Sequence, residues 1–279
     1  MNLVVIGDTA KDINVFKGRK TNENSNQDVV MINNGGACFY YAVGASYFGS
    51  CGVVTKIGED FDIRNFSNSG IDIKGLKRIA GNTTKFYQTF LTADGQVREF
   101  KAERNAESKI YFEDIPKEYL DSTDYILIST TLPENQLELI KNIRKHSKAK
   151  IAVDTLKEFA DEEVTKEVFN SVDIAFIDRE FENLLNTKAK IKIIKYGKLG
   201  CLYIDDKSMI VHRNSIIIPD EKVVDKTGAG DVLTGAFLTI LSLTNNPKLA
   251  LEKANKIATK SITKYGVEHL IKNKEKELN

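Results

Sequence analysis

Four short apolar runs follow one another at nearly even spacing through the middle of the chain. They are YILIST at 125–130, KIAVDT at 150–155, VDIAFID at 172–178 and IKIIKYG at 191–197. Helical patterns separate them, from Pro133 to about Lys145, near 159–170 and at 180–186; the first opens with proline in its first turn. A strand that is apolar at nearly every position, not at every second one, is covered on both faces. Such strands, joined by helical crossovers of roughly 10 to 15 residues, require a largely parallel sheet with helices on both sides. The fold class is α/β. LVVIG at 3–7 and CGVVTKIG at 51–58 add two strands, ACFYYAVGASYFG at 37–49 adds a helix, and the polar stretch from Phe61 to Ser69 suits a further helical turn.

Two stretches break this rhythm. Residues 9–32 are polar in the middle (KGRKTNENSNQD) and flanked by strand-like DINVF and VVMI. Residues 83–101 alternate apolar and polar positions on both sides of Asp94-Gly95, which is a hairpin pattern. Inserted between βα units, they predict a small second sheet whose apolar face, including Phe86, Phe90, Leu91, Val97 and Phe100, needs cover, with an edge extension of the main sheet as the alternative. The charged tail IKNKEKELN is expected to fray.

Charge and composition exclude several classes of function. Lys plus Arg is 40 and Asp plus Glu is 39 among 279 residues, so the global basic field of a nucleic-acid binder is absent. No apolar run approaches the roughly 18 to 20 residues that cross a bilayer, and the start MNLVVIGDTAKD reads as a strand, not a signal peptide. Cys38, Cys51 and Cys201 are scattered among apolar residues and fit small buried thiols in a reducing cytoplasm. His146, His212 and His269 have no partner at ligand spacing, which sets aside metal-centred and histidine-based nucleophilic chemistry.

The strongest local signal is VVDKTGAGDVLTGAFLTIL at 223–241. Val223 and Val224 read as a strand end, Asp225 to Gly230 as a glycine-rich turn, and the apolar residues from Val232 onward recur with helical period. A loop of Gly228, Ala229 and Gly230 at a helix start presents backbone N–H groups with no side chain in the way, at the positive end of the helix dipole. Asp231, in the first turn, suits a capped helix on dipole grounds alone. It also suits phosphoryl transfer to an alcohol, which needs donors for the phosphate oxygens and a carboxylate for the hydroxyl proton. The pattern is neither a Walker A loop nor a dinucleotide fingerprint.

These residues resemble the ribokinase-like (PfkB) carbohydrate kinases. DKTGAGD at 225–231 is similar to that family's C-terminal signature, with Lys226 where threonine is more usual. GDTAKD at 7–12 resembles the end of its first strand, NNGGACFYYA at 33–42 its diglycine segment, and KYGKLG at 195–200 the segment that lines the nucleotide. RNA at 104–106 resembles the Gly-Ala-Asn after the lid hairpin, and ANKIATKSIT at 254–263 the helix that closes the adenine site. The resemblance implies a three-layer α/β/α sandwich, a single domain over 1–279, with a β lid from about 12–32 and 83–102. It also implies an ATP- and Mg²⁺-dependent kinase acting on a hydroxyl of a small polyol (a sugar, a nucleoside or a cyclitol such as inositol). Asp231 would be the base, and Gly228, Ala229 and Gly230 the phosphoryl donors. Asp12, Gly35, Gly36 and Asn105 would bind the acceptor, and Lys195, Gly197, Gly200, Thr227 and Asn255 the nucleotide. Further expectations are a homodimer through the lid, a cytoplasmic location and no nucleic-acid or membrane partner.

One segment departs from the pattern. Where the family carries Asn-x-x-Glu, linked there to magnesium and phosphate, this chain reads IDREFENLL, with Asp178 for Asn and Phe181 for Glu. Asp178, Glu180 and Glu182 then form either a water-mediated metal site or a solvated helix start. The departure also leaves open a non-catalytic sugar- or nucleoside-binding protein on the same fold. Tyr40, Tyr41 and Tyr47 read as core.

Overall fold

Leu3, Val4, Val5 and Ile6 are all fully buried, and their side chains leave the strand on alternate sides. Leu3 and Val5 join one apolar core, Val4 and Ile6 a second on the opposite face. This strand, β1 (Leu3–Ile6), is therefore sandwiched between two helical layers, as its unbroken apolar run requires.

The structure is a computed structural model that describes residues 1–20, 26–91, 97–105, 108–129, 131–154 and 163–272. After β1 come β2 (Ala10–Lys20), β3 (Asn26–Gly35), α1 (Ala37–Ser46), β4 (Cys51–Ile57), α2 (Arg64–Asn68) and β5 (Asp72–Arg78). Then follow β6 (Lys85–Leu91), β7 (Val97–Glu103), α3 (Lys117–Asp121), β8 (Tyr125–Ile128), α4 (Pro133–His146), β9 (Lys150–Asp154), α5 (Glu163–Asn170) and β10 (Ile174–Asp178). The chain closes with β11 (Ile191–Lys195), β12 (Cys201–Asp205), β13 (Ile210–Arg213), α6 (Ala229–Thr244), α7 (Pro247–Ser261) and α8 (Glu268–Lys272).

The nine-stranded sheet runs β13-β12-β11-β10-β9-β8-β1-β4-β5, parallel except for the antiparallel β12 and β13. From β1 the order runs one way through β4 and β5 and the other way through β8 to β11. That reversal is where sheets of this class bind ligands, beyond the carboxyl ends of the strands. The other sheet has the order β3-β2-β6-β7, so the two irregular stretches do pair with each other. Its strands β2 and β6 run parallel and place Asp12 opposite Phe86.

Helices α1 and α6 set the geometry of the site. All ten residues of α1 are buried. A Cβ at Gly44 would overlap the Val232 carbonyl, and one at Gly235 would overlap the Tyr41 carbonyl. The two helices thus cross with backbone against backbone, which fixes where Tyr40, Tyr41, Asp231 and Thr234 point.

Several expectations need correction. Val223 and Val224 are not in a strand; their segment follows a 3₁₀ turn (Asp220–Lys222), and Val224 N–H bonds the Ile262 carbonyl at 2.8 Å. The element expected at 180–186 is a single 3₁₀ turn, Glu182–Leu184. On the small sheet Phe86 and Phe90 are buried, but Val97 and Phe100 are exposed because β7 is an edge strand. Phe90 stacks on Phe16, ring centroids 4.9 Å apart, and Phe16 meets Tyr265 of the main domain at 5.1 Å. The Asp94-Gly95 turn, the Leu91 side chain, the start of the helix expected near 159 and the charged tail from 273 lie outside the description. Cys38, Cys51 and Cys201 are buried free thiols. Among the described residues no helix is long and apolar enough to cross a membrane.

Candidate active site

The glycine-rich loop is organised by Asp225. One carboxylate oxygen accepts the Thr227 N–H at 2.9 Å, and the other accepts the Gly266 N–H at 3.2 Å. Gly228 then turns left-handed, φ 72°, and starts α6. Only glycine fits there: the conformation disfavours a side chain, and a Cβ would overlap the Tyr40 ring. The Ala229 N–H turns back to the Lys226 carbonyl at 3.3 Å. Gly230 and Asp231 lie in the first turn, whose N–H groups have no acceptor within the helix. Lys226 itself is exposed.

Asp231 stands beside a buried polar cluster. The Asp154 carboxylate, at the end of β9, accepts from Thr234 Oγ1 at 2.9 Å, from Tyr41 Oη at 3.1 Å and from Lys195 Nζ at 2.5 Å. The Tyr41 hydroxyl also lies within hydrogen-bond reach of Asp231. Burial and the Asp154 carboxylate push the Asp231 carboxyl up to about 8, against the pull of Lys195 and Tyr41. Burial opposes the Lys195 charge, but the carboxylates of Asp154 and Asp178 outweigh it and keep the ammonium protonated.

Asp12 meets the hydroxyl end of Tyr40, whose ring lies against Gly228. It is buried on β2, accepting from Tyr40 Oη at 2.5 Å and from the Gly36 N–H at 3.3 Å. Burial pushes its carboxyl up to about 7; the Tyr40 and Gly36 bonds hold it down, and Asp225 adds to the rise. Asn14, two residues along the same strand face, donates to Thr227 Oγ1 at 3.1 Å and ties this strand to the loop. Burial raises the Asp8 carboxyl to about 6 despite the Arg104 guanidinium 2.7 Å away.

The other expected site residues divide into two groups. A Cβ on Gly35 would overlap the Asp12 carboxylate, so this glycine makes room for the carboxylate before any sugar arrives. Gly197 borders open space, and Gly200, at the end of the β11–β12 connection, is packed against the Arg213 carbonyl at the end of β13. Asn255 is buried and donates to the Cys201 sulfur at 3.2 Å. Asn105 donates its side-chain amide to the carbonyls of Ala80 and Asn82, and it is the neighbouring Arg104 that reaches inward. Glu180 is exposed, and Asp178 faces Lys195 at 3.5 Å. The Glu182 side chain lies outside the description. Among the described residues no three metal-ligating side chains come together, and Asp154 is already filled by three donors. Among the described side chains there is no protein-held metal cage.

The family model for pfkB family carbohydrate kinases matches residues 1–274. The cytidine kinase of Thermococcus kodakarensis is 30% identical over 288 residues, covering 93% of this chain and 97% of the relative. The chain belongs to the pfkB carbohydrate kinase family. Solved structures share its fold, among them two ribokinases. Thermotoga maritima ribokinase has a TM-score of 0.75 at 22% identity, covering 99% of each chain. Arabidopsis thaliana ribokinase complexed with ribose and ATP has a TM-score of 0.77 at 18% identity, covering 98% of this chain and 97% of that one.

Within this pfkB kinase the sequence reading missed Tyr40, Tyr41, Asp154, Thr234, Asn14 and the Asp8–Arg104 pair as parts of the site. Tyr40 and Tyr41 are core by burial, yet each hydroxyl bonds a site carboxylate. The available signal was polar: a buried tyrosine hydroxyl needs a partner. Asp154 at the end of an apolar strand offered the same kind of clue, since a buried carboxylate must be paired.

Proposed function

We propose that this chain is an ATP-dependent kinase that transfers the γ-phosphoryl group to a hydroxyl of a small neutral polyol: a sugar, a nucleoside or a cyclitol. The observation that carries the reading is Asp231, whose carboxyl is held up to about 8 in the first turn of α6, beside the Gly228–Gly230 loop. Asp231 takes the proton from the acceptor hydroxyl as that oxygen attacks the γ-phosphorus. The bond from phosphorus to the bridging oxygen breaks, and ADP leaves with the electron pair. N–H groups at the start of α6 stabilise the charge on the transferring oxygens. Asp12, held by Tyr40, accepts hydrogen bonds from acceptor hydroxyls, and Asn14 keeps its strand against the loop. Magnesium would arrive on the nucleotide phosphates and offset part of their charge, because the described side chains form no cage of their own. The cytidine kinase relative and the ribose-bound ribokinase both favour an acceptor with a vicinal diol.

The test is ADP release measured with ATP and magnesium across ribose, cytidine, other nucleosides and inositol. Turnover with at least one of them is expected. Acceptor binding without turnover on any would instead identify a binding protein on this fold.

A further inference from the structure

β8 begins at Tyr125 and β9 at Lys150, and these residues pair side by side at the amino ends of the strands. Asp154 and the glycine-rich loop lie at the opposite ends. α6 spans the same interval: Asp231 is in its first turn and Leu241 and Ser242 in its last, roughly 15 Å away along the helix axis. An open cavity of about 480 Å³ lies where these far ends meet, bordered by Tyr125, Lys150, Leu241 and Ser242 and by Thr123 and Lys148 from the loops before the strands. Part of its polar lining is already paired. The Asp124 carboxylate accepts from Ser242 Oγ at 2.5 Å, and Ser242 Oγ accepts from Asn2 Nδ2 at 2.8 Å. The rest is open. Tyr125 is 5% exposed and Thr123 8%, yet neither hydroxyl has a hydrogen-bond partner among the described residues. Lys150 Nζ sits over the Tyr125 ring, 5.6 Å from its centroid. Lys148 and Lys150 are exposed, and neither ammonium has a carboxylate partner among the described residues.

Buried tyrosine and threonine hydroxyls usually find a partner, so two unpartnered ones on one cavity point to a ligand that supplies the acceptors. All four open groups are donors: two ammoniums and two hydroxyls. Donors without acceptors, beside two positive charges, fit an anion rich in oxygen. Two ammoniums against the single Asp124 carboxylate suit one anionic group and disfavour a polyphosphate. Lysine binds phosphate as a point charge, and a pair of lysines can share the three terminal oxygens of a phosphate monoester. The volume is that of a small-metabolite pocket. We propose that this cavity is a second ligand site, which binds a small hydroxylated phosphate monoester. Its phosphate oxygens meet Lys148 and Lys150, and its remaining oxygens accept from Tyr125 and Thr123. The site stands apart from the phosphoryl-transfer reading, since none of these residues belongs to the candidate active site.

Glycerol 3-phosphate, with glycerol and glycerate as controls, is titrated by calorimetry into the full-length wild type, Lys148→Gln/Lys150→Gln, Tyr125→Phe and Asp12→Ala. The two lysines are exposed and Tyr125→Phe keeps the ring, so the cavity variants should fold, which their melting temperatures check. Wild type should bind glycerol 3-phosphate and neither control as tightly. The double lysine variant should lose roughly tenfold or more in affinity and Tyr125→Phe roughly threefold to tenfold. Asp12→Ala, which disables the proposed acceptor site, should change it less than about twofold. Hydrogen exchange at 123–125 and 241–245 should slow with ligand bound. The proposal is overturned by no binding of glycerol 3-phosphate to wild type at millimolar concentration, by unchanged affinity in either cavity variant, or by glycerol or glycerate binding equally well. A larger loss in Asp12→Ala than in the double lysine variant would place the ligand in the active site and overturn it too.

Discussion

The Tyr40 hydroxyl donates to Asp12 across 2.5 Å. The ring that carries it occupies the space a side chain on Gly228 would need. One aromatic side chain therefore joins the Asp12 carboxylate to the glycine-rich loop. Tyr40→Phe keeps the ring and removes the bond, so the Asp12 carboxyl should rise further above about 7. Acceptor KM at pH 7 is expected to rise about tenfold, as for loss of one charge-assisted hydrogen bond, and to recover partly at higher pH. Asp12→Ala should raise acceptor KM further at every pH while ATP KM moves little. A titration of KM against pH for both variants checks this; equal losses for acceptor and ATP would point to general damage.

Asp231→Asn keeps the shape and removes the proton acceptor. Turnover should fall by roughly 10² to 10⁴, with nucleotide affinity largely kept. With Asp231 as the proposed base and its carboxyl pushed up to about 8, the wild-type kcat/KM should fall as pH drops from about 9 to 6. Rate–pH profiles measured with saturating ATP decide it, and near-normal turnover in the variant would remove Asp231 from the role of base.

Stability should carry the opposite dependence on pH. Asp8, Asp12 and Asp231 have folded-state values of about 6, 7 and 8, all above the ordinary 3.8. Between those limits the folded chain holds protons that the unfolded chain has released, so stability falls as pH rises through the window. Melting temperature should therefore decline from about pH 5 to pH 8.5, and Asp231→Asn should flatten the upper part of that decline. A melting curve that rises over this range would contradict the raised values of these three acids.

The small sheet is expected to act as a cover over the acceptor. Hydrogen exchange in β6 (Lys85–Leu91) and β7 (Val97–Glu103) should slow when acceptor and a non-hydrolysable nucleotide are both bound. Unchanged exchange in an active enzyme would make the sheet static scaffold.

The parallel sheet was legible because its inner strands are apolar without interruption, which follows from cover on two faces. β5 (DIKGLKR) was not, since as an edge strand it buries only Gly75 and exposes its lysines and Arg78. β13 escaped for the same reason, and β12, paired on both sides, buries only Cys201 and Tyr203 of its five residues, so the antiparallel end of the sheet carries a mixed pattern. The loop at 225–231 announced itself through glycine and aspartate in seven consecutive residues. Its supporting cluster could not, because Tyr41, Asp154, Thr234 and Lys195 come from four separate elements and meet only once the helices cross. Val224 misled for want of context, its N–H being taken by Ile262, far along the chain.

Asp12 belongs to the same sheet as the strands expected to cover the acceptor, directly opposite Phe86 in the β2–β6 pairing. On the proposed reading, a clamp built into its own cover cannot grip without also shutting, so water, the ever-present rival for a γ-phosphoryl group, is shut out at the moment the acceptor is held. The closed geometry that phosphoryl transfer needs would then form only around an acceptor, and the strand order itself would tie closure to the choice of substrate.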